Sequence, residues 1–244
     1  MPVLSRPRRR RLAVITASEL LLTSGGAFAQ TKITIGCTAT SDCASAMVAV
    51  DEGIFARHGL DAKMILIGIN SNIPAAIISD SIQIGGPTAT VFLQAVDGGH
   101  DLIAIEGATI KDPMSTVLTA EPFVTRFNAA GLGYVGAHYA ADLARTEPII
   151  SYVASRAFAE KNPEAIAAFR AAIVEAAAIV NNDRQKASES ISKFTKQPLD
   201  LVKTNRPNLA APDVKPDGLV WWLEVMKQQN MLQTQIDPAK IVLK

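Results

Sequence analysis

The chain has 244 residues, of which 48% are hydrophobic and 19% are charged, and its formal net charge is +1. This composition excludes an intrinsically disordered chain. The length is sufficient for one large domain or for two lobes with a buried core.

The first 29 residues have the three-part pattern of a secretory signal peptide. Arg6 and Arg8-Arg-Arg-Arg11 form a basic segment, a short apolar segment follows, and Ala27-Phe-Ala29 is a small-residue cleavage box. The apolar segment is shorter than the ~20 residues that span a membrane, and Glu19 interrupts it. The sequence therefore predicts cleavage after Ala29 and a periplasmic mature protein. The adjacent arginines leave both general secretory and twin-arginine export open.

Removal of this leader changes the charge of the chain. The leader contains five arginines and one glutamate, so the formal charge falls from +1 to −3 when it is cleaved. We interpret the basic run as an export signal rather than as a nucleic-acid-binding patch, and we expect no nucleic-acid partner for the mildly acidic remainder.

The chain contains two cysteines, Cys37 and Cys43, which are six positions apart. In an oxidising compartment this spacing favours a disulfide that closes the loop between the first strand and the first helix, and two buried free thiols are the alternative. His58, His100 and His138 are scattered without ligand spacing, so no metal site is expected.

Strand and helix patterns alternate through the first half of the mature chain. The strand patterns cover 32–36, 62–67, 81–85 and 101–106, and the helical patterns cover 43–52, 73–79 and 88–97. This alternation predicts a largely parallel α/β sheet, whose ligands bind at the carboxyl ends of the strands. In the later half, strand patterns over 115–120 and 149–155 are followed by a long alanine-rich helix from Pro163 and a helix over 219–228.

The junction Gly85-Gly86-Pro87-Thr88 is a candidate ligand site. The two glycines allow close approach to the backbone, and Thr88 or Thr90 can cap a helix whose first N–H groups point outward. Such a helix start binds anions, although an ordinary βα turn has the same pattern. By the same reasoning, Ser41 or Asp42 is expected to cap the first helix.

Five segments of the mature chain carry a family resemblance. They are Thr38-Ala-Thr-Ser-Asp42, Val50-Asp-Glu-Gly-Ile-Phe-Ala-Arg-His-Gly-Leu-Asp61, Ile82-Gln-Ile-Gly-Gly-Pro-Thr88, Leu118-Thr-Ala-Glu-Pro-Phe123 and Lys161-Asn-Pro-Glu-Ala-Ile-Ala-Ala-Phe-Arg170. With its leader, the chain resembles the sulfonate/nitrate/taurine-type periplasmic solute-binding proteins of ABC importers. The second segment is the most specific, because family members turn their first helix into the second strand in this way.

The resemblance implies a type II periplasmic-binding-protein-like α/β fold, with two lobes that close on a small solute and present it to a permease in the inner membrane. It implies no enzymatic activity and no cofactor. Carried over by motif, the implied ligand-binding residues are Thr40, Ser41, Asp42, Gly86, Pro87, Thr88 and Glu121. Hydroxyl and backbone N–H groups suit an oxyanion such as a sulfonate, nitrate or a carboxylate. The carboxylates of Asp42 and Glu121 could contact a cationic part of the ligand, so a zwitterion such as taurine is also a candidate.

The sequence departs from the family between the strand pattern that ends near residue 106 and the one that begins near residue 115. Family members carry a further βαβα stretch there, whereas this chain has only residues 107–114. A βαβ unit needs roughly 30 residues, so we expect an incomplete second lobe. The implied organisation is a leader (1–29), a first lobe (30–108), a truncated second lobe with crossover strands (109–160) and C-terminal helices that pack on the lobes (161–244).

Two other classes of protein are weighed against a solute-binding protein. Gly131-Leu-Gly-Tyr-Val-Gly136 is a formal G-x-G-x-x-G, but no convincing strand precedes it, and a glycine-rich turn explains it better. An enzyme of the thiamine-pyrimidine-synthase-like type shares the fold family, and the leader argues against that intracellular role. A non-transporting remnant or sensor subunit is the third class, because of the short second lobe.

Overall fold

The computed structural model describes residues 30–110, 130–131, 147–204 and 209–243. In this part of the chain, six strands form one mixed sheet with the order β2-β1-β3-β5-β4-β6. The strands are β1 (Thr31–Cys37), β2 (Leu60–Leu66), β3 (Ile84–Gly85), β4 (Leu102–Ile110), β5 (Pro148–Ser155) and β6 (Leu209–Ala210). The prediction of a mixed helix and strand fold is confirmed.

The direction of the strands departs in part from the prediction of a largely parallel sheet. Strands β2 and β3 lie parallel to β1 on either side of it. Strand β5 inserts between β3 and β4 and is antiparallel to both, and β6 is antiparallel to β4. Strands β1 to β4 therefore share one direction, and the two later strands run against them.

Helices cover both faces of the sheet. They are α1 (Ala44–Asp51), α2 (Ile54–Arg57), α3 (Ile73–Ile78), α4 (Ala89–Asp97), α5 (Arg156–Lys161), α6 (Pro163–Asn182), α7 (Arg184–Thr195), α8 (Leu199–Thr204), α9 (Pro216–Gln228) and α10 (Pro238–Ile241). Two short 3₁₀ turns, Ser41–Cys43 and Asn70–Asn72, precede α1 and α3. None of the described helices is long and apolar enough to cross a membrane.

The core is divided between the two faces because side chains alternate along each strand. On one face, Ile33 and Ile35 of β1 pack with α1 and α6. The rings of Phe55 and Phe169 stack there with centroids 5.5 Å apart, and Tyr152 meets Phe169 edge-on at 5.2 Å. On the other face, α3, α4 and α9 pack against the sheet in a second cluster of buried apolar side chains. The sheet is therefore held rigidly from both sides.

Strand β4 ends at Ile110 and β5 begins at Pro148. The two strands pair from Leu102 opposite Ser155 to Ile110 opposite Pro148. Strand β4 thus continues beyond its predicted end near residue 106, and residues 107–110, which the sequence assigned to a connection, belong to this strand. The predicted strand over 115–120, the site residue Glu121 and nearly all of the 131–136 glycine motif lie outside the described residues.

Candidate functional site

Three loops meet at the carboxyl edge of β1, β2 and β3. Gly36 of β1 lies opposite Gly85 of β3, and the pairing continues past the strand ends. Ile67 N donates to Cys37 O at 2.8 Å, and Gly86 N donates to Gly36 O at 2.9 Å. The loops that follow these strands, residues 38–43, 67–72 and 86–88, therefore start side by side at one edge of the sheet.

A disulfide packs between the first and third of these loops. Cys37 and Cys43 are bonded, with their Cα atoms 6.5 Å apart, and both side chains are buried. A Cβ added to Gly86 would lie 2.6 Å from Cys43 Sγ and 2.9 Å from Cys37 Sγ, and a Cβ on Gly85 would lie 2.4 Å from Ile73 Cγ2. The space beside the backbone of these two glycines is therefore filled by side chains of the protein itself.

The first loop is internally hydrogen-bonded. Thr40 Oγ1 donates to Asp42 Oδ2 at 2.7 Å, because an ionised carboxylate can only accept. With its proton used in this way, Thr40 Oγ1 can accept from Thr38 Oγ1, 3.3 Å away. Ser41 differs from its neighbours: it is only 5% exposed, and its Oγ has no hydrogen-bond partner among the described residues. A buried hydroxyl without a partner is costly, and a bound acceptor would satisfy it.

Ser41 and Asp42 do not cap α1, and the sequence-based prediction that one of them would is wrong. Both belong to the 3₁₀ turn, and the N-cap position is Cys43, without a side-chain cap. The hydroxyl of Tyr152, a residue of β5, supplies the missing acceptor, because Ala46 N donates to it at 3.1 Å. Tyr152 also shares a hydrogen bond with Ser45 Oγ at 2.9 Å. Burial raises the pKa of Tyr152, so this hydroxyl stays neutral.

The third loop begins α4 as predicted. Thr88 is the N-cap, and its Oγ1 accepts from Val91 N at 3.4 Å. Thr88 N donates to Asn70 Oδ1 at 3.0 Å, and Thr88 Oγ1 lies 3.3 Å from the same oxygen. The sequence analysis missed Asn70. Its signal was available, since Asn70 follows β2 and the carboxyl ends of adjacent parallel strands meet at one edge.

An ion pair with a buried carboxylate joins β4 to α6 in the same part of the molecule. Glu106 is 3% exposed, and its carboxylate accepts from Arg170 Nε at 3.0 Å and from Gly107 N at 3.2 Å. Burial raises the pKa of Glu106, and the hydrogen bond from Arg170 opposes that shift. Both Glu106 and Asp42 add a smaller upward shift to the pKa of Tyr152, which indicates that their charges reach the α1 start.

The described residues offer no metal site, and a cavity lies elsewhere on the sheet. They include no group of three or more His, Cys, Asp or Glu side chains that could hold a metal ion. A cavity of about 550 Å³ lies at the start of β4, away from the three loops, and is lined mainly by apolar side chains with Arg156 and Lys240 among them.

Comparisons of sequence and of structure point to one fold. The sequence profile of the NMT1-like family matches residues 110–194, which is less than half of the chain. No match is found among curated protein sequences. The alkanesulfonate-binding protein SsuA from Xanthomonas axonopodis pv. citri, solved with MOPS, superposes with a TM-score of 0.63 at 12% identity, over 87% of this chain and 98% of that one.

Two further solved structures have similar scores. The periplasmic nitrate-binding protein NrtA from Synechocystis PCC 6803 gives a TM-score of 0.70 at 13% identity, over 87% of this chain and 86% of that one. A ligand-binding component of an ABC-type import system from Staphylococcus aureus gives 0.67 at 12% identity, over 88% and 97%. The fold is that of the type II periplasmic binding proteins. The sequence-based resemblance to this group is thereby confirmed.

In this periplasmic-binding-protein fold, six of the seven predicted ligand residues come together. Thr40, Ser41 and Asp42 lie in the first loop, and residues 86–88 lie beside it in the third. Glu121 lies outside the described residues. Their contact with a ligand remains a prediction, as does the shortened second lobe.

Proposed function

We propose that this protein is the extracytoplasmic solute-binding component of an ABC importer, and that it captures a small anion of the sulfonate, nitrate, taurine or carboxylate class. The observation that carries the proposal is the convergence of three polar loops at the carboxyl edge of β1, β2 and β3. In open α/β sheets this edge is where ligands bind. The solved structures with the same fold include proteins named for binding alkanesulfonate and nitrate.

The donors at this edge suit an oxyanion. Ser41 contributes a buried hydroxyl that has no partner in the part of the chain that the structure describes, and the start of α4 contributes backbone N–H groups next to Thr88. The acidic groups nearby already have partners, since Asp42 accepts from Thr40 and Glu106 is paired with Arg170. An anion at the loops therefore meets donors that are not already used by these carboxylates.

Export and partnership with a permease complete the proposal. The leader sequence in residues 1–29 supports delivery to the periplasm, with cleavage after Ala29. In such a system the binding protein passes its solute to an inner-membrane permease. Binding rather than catalysis fits the described residues, because the polar groups at the three loops are hydroxyls, amides and internally paired carboxylates, without a nucleophile and base in contact.

A second candidate is a non-transporting remnant or sensor subunit that binds weakly. The sequence feature that favours it is the stretch of only eight residues, 107–114, between the strand pattern that ends near residue 106 and the one that begins near residue 115. A single βαβ unit takes roughly 30 residues, and tight binding needs donors and apolar walls on both sides of the ligand. Small-angle scattering with and without ligand separates the two candidates: a monomer that compacts supports the transport role, and an unchanged profile with weak binding supports the remnant.

The proposal is tested by calorimetric titration of the exported protein with nitrate, propanesulfonate, taurine and benzoate, combined with native mass spectrometry for a co-purified solute. We expect one of these anions to bind at a ratio of one per chain. Ser41→Ala is expected to weaken that binding by about 1.5–3 kcal/mol, the value of a hydrogen bond to a charged group. Ser81→Ala, at an exposed serine away from the loops, is the matched control. Absence of binding for all four anions and of any co-purified solute would refute the proposal.

A further inference from the structure

The amide of Asn70 is held in one orientation by Thr88. Asn70 Oδ1 receives the backbone N–H of Thr88 at 3.0 Å and lies 3.3 Å from Thr88 Oγ1. A backbone N–H can only donate, so the atom that faces it is the amide oxygen rather than the amide nitrogen. The orientation of the amide group therefore follows from the chemistry of its partner.

This orientation leaves the amide nitrogen of Asn70 available. Its two N–H groups make no hydrogen bond to any residue within the described ranges, and the side chain is only partly buried. Asn70 itself lies in the 3₁₀ turn directly after β2, at the edge of the sheet where the three loops meet. Because the side-chain carbonyl of Asn70 is fixed by Thr88, the two N–H donors of the same amide are held at this edge of the sheet.

The hydroxyl of Thr88 is, in contrast, already occupied. It accepts from Val91 N as the cap of α4, it donates to Asn70 Oδ1 at 3.3 Å, and it lies 3.2 Å from Thr90 Oγ1. The hydroxyl proton of Thr88 is therefore directed at Asn70. The sequence analysis gave Thr88 the role of a ligand donor, and these contacts assign it a different one.

We propose that the side-chain amide of Asn70 binds the head group of the ligand, and that Thr88 holds this amide in position. This inference rests on the proposed function. The amide N–H groups select a head group that offers acceptors alone, such as a sulfonate, nitrate or carboxylate, and they discriminate against an ammonium or other donor. The Ser41 hydroxyl and the α4 start contribute further donors to the same head group. The cationic part of a zwitterion would have to point away from Asn70.

The substitution Asn70→Asp tests this assignment with almost no change in shape. The aspartate keeps an acceptor for the Thr88 N–H, so the loop contact survives. It replaces two donors with a negatively charged oxygen. We expect the affinity for propanesulfonate to fall by at least about 30-fold, through loss of a charge-assisted hydrogen bond and added repulsion. The melting temperature is expected to change little. Asn230→Asp, at an exposed position away from the loops, controls for the added charge.

Two variants of Thr88 test whether its hydroxyl positions the Asn70 amide or contacts the ligand directly. Thr88→Ser keeps the hydroxyl and is expected to bind propanesulfonate like the wild type. Thr88→Val keeps the backbone N–H that holds Asn70 Oδ1, and it is expected to lose only a few-fold in affinity. This loss is smaller than that of Asn70→Asp because the amide donors remain in place.

The outcomes distinguish this inference from the proposed function. If the wild type binds none of the anions, both are overturned. If the wild type binds and Asn70→Asp binds equally well, the role of Asn70 is overturned while the proposed function stands. If Thr88→Val loses more affinity than Asn70→Asp, the hydroxyl contacts the ligand directly and the assignment of roles is reversed. A selective loss in Asn70→Asp, with the Asn230→Asp control unchanged, supports the inference.

Discussion

Replacing Gly86 by alanine tests the packing on which the candidate site depends. The added Cβ would lie 2.6 Å from Cys43 Sγ and 2.9 Å from Cys37 Sγ. The two sulfurs are held by their mutual bond, so neither can rotate away. The backbone at residue 86 or the whole first loop must therefore move.

The expected cost follows from this geometry. Insertion of a methyl group into a well-packed region costs typically 1–3 kcal/mol, and we expect Gly86→Ala to lower the free energy of unfolding by about 2 kcal/mol. For a chain of this size that corresponds to a fall in melting temperature of about 4–8 °C. Because Gly86 N also bonds to Gly36 O, the shift separates the loops and weakens anion binding as well.

Urea denaturation and calorimetry measure both effects. Gly68→Ala is the matched control for the stability measurement, because nothing lies within 4 Å of a Cβ at Gly68. A double-mutant cycle with Cys37→Ala/Cys43→Ala isolates the cause: without the sulfurs, Gly86→Ala is expected to cost less than about 0.5 kcal/mol. An equal cost with and without the disulfide would refute the reasoning.

Three further predictions concern the disulfide, the buried carboxyl and the leader. Reduction of the Cys37–Cys43 disulfide is expected to lower the free energy of unfolding by about 2 kcal/mol, because the bond restricts the chain entropy of only a short loop. Thiol labelling of unfolded, unreduced protein should detect neither cysteine, and two labelled thiols would contradict the bridge. Burial raises the pKa of Glu106, so its ionised form is disfavoured in the folded state and stability is lost as pH rises above the ordinary carboxyl value. Glu106→Gln should therefore raise the melting temperature more at pH 8 than at pH 3.5, and an effect independent of pH would count against this. N-terminal sequencing of the exported protein is expected to begin at Gln30, and a retained leader would contradict the export assignment.

Local signals in the sequence were sufficient for much of the fold. The alternation of apolar residues located β1 and α4 to within one or two residues, and threonine before an apolar helical run marked the cap at Thr88. The carboxyl-edge rule for parallel strands then brought the first and third loops together. These features depend on residues close to one another in the chain.

Long-range pairing explains what the sequence did not reveal. The insertion of β5 between β3 and β4 depends on contacts between residues far apart in the chain, and no local pattern encodes such a neighbour. The same holds for α1, whose start is capped by Tyr152 of β5 rather than by Ser41 or Asp42. The contact between Asn70 and Thr88 likewise joins two different loops.

Chemical-shift mapping of the isotope-labelled protein during titration with propanesulfonate tests the central claim most directly, because it shows where an anion binds. We expect the perturbed amides to cluster in residues 38–43, 70–72 and 86–90, and the perturbation to saturate at one anion per chain. Saturable shifts confined to the start of β4 around Arg156 and Lys240, with the three loops unaffected, would contradict the central claim.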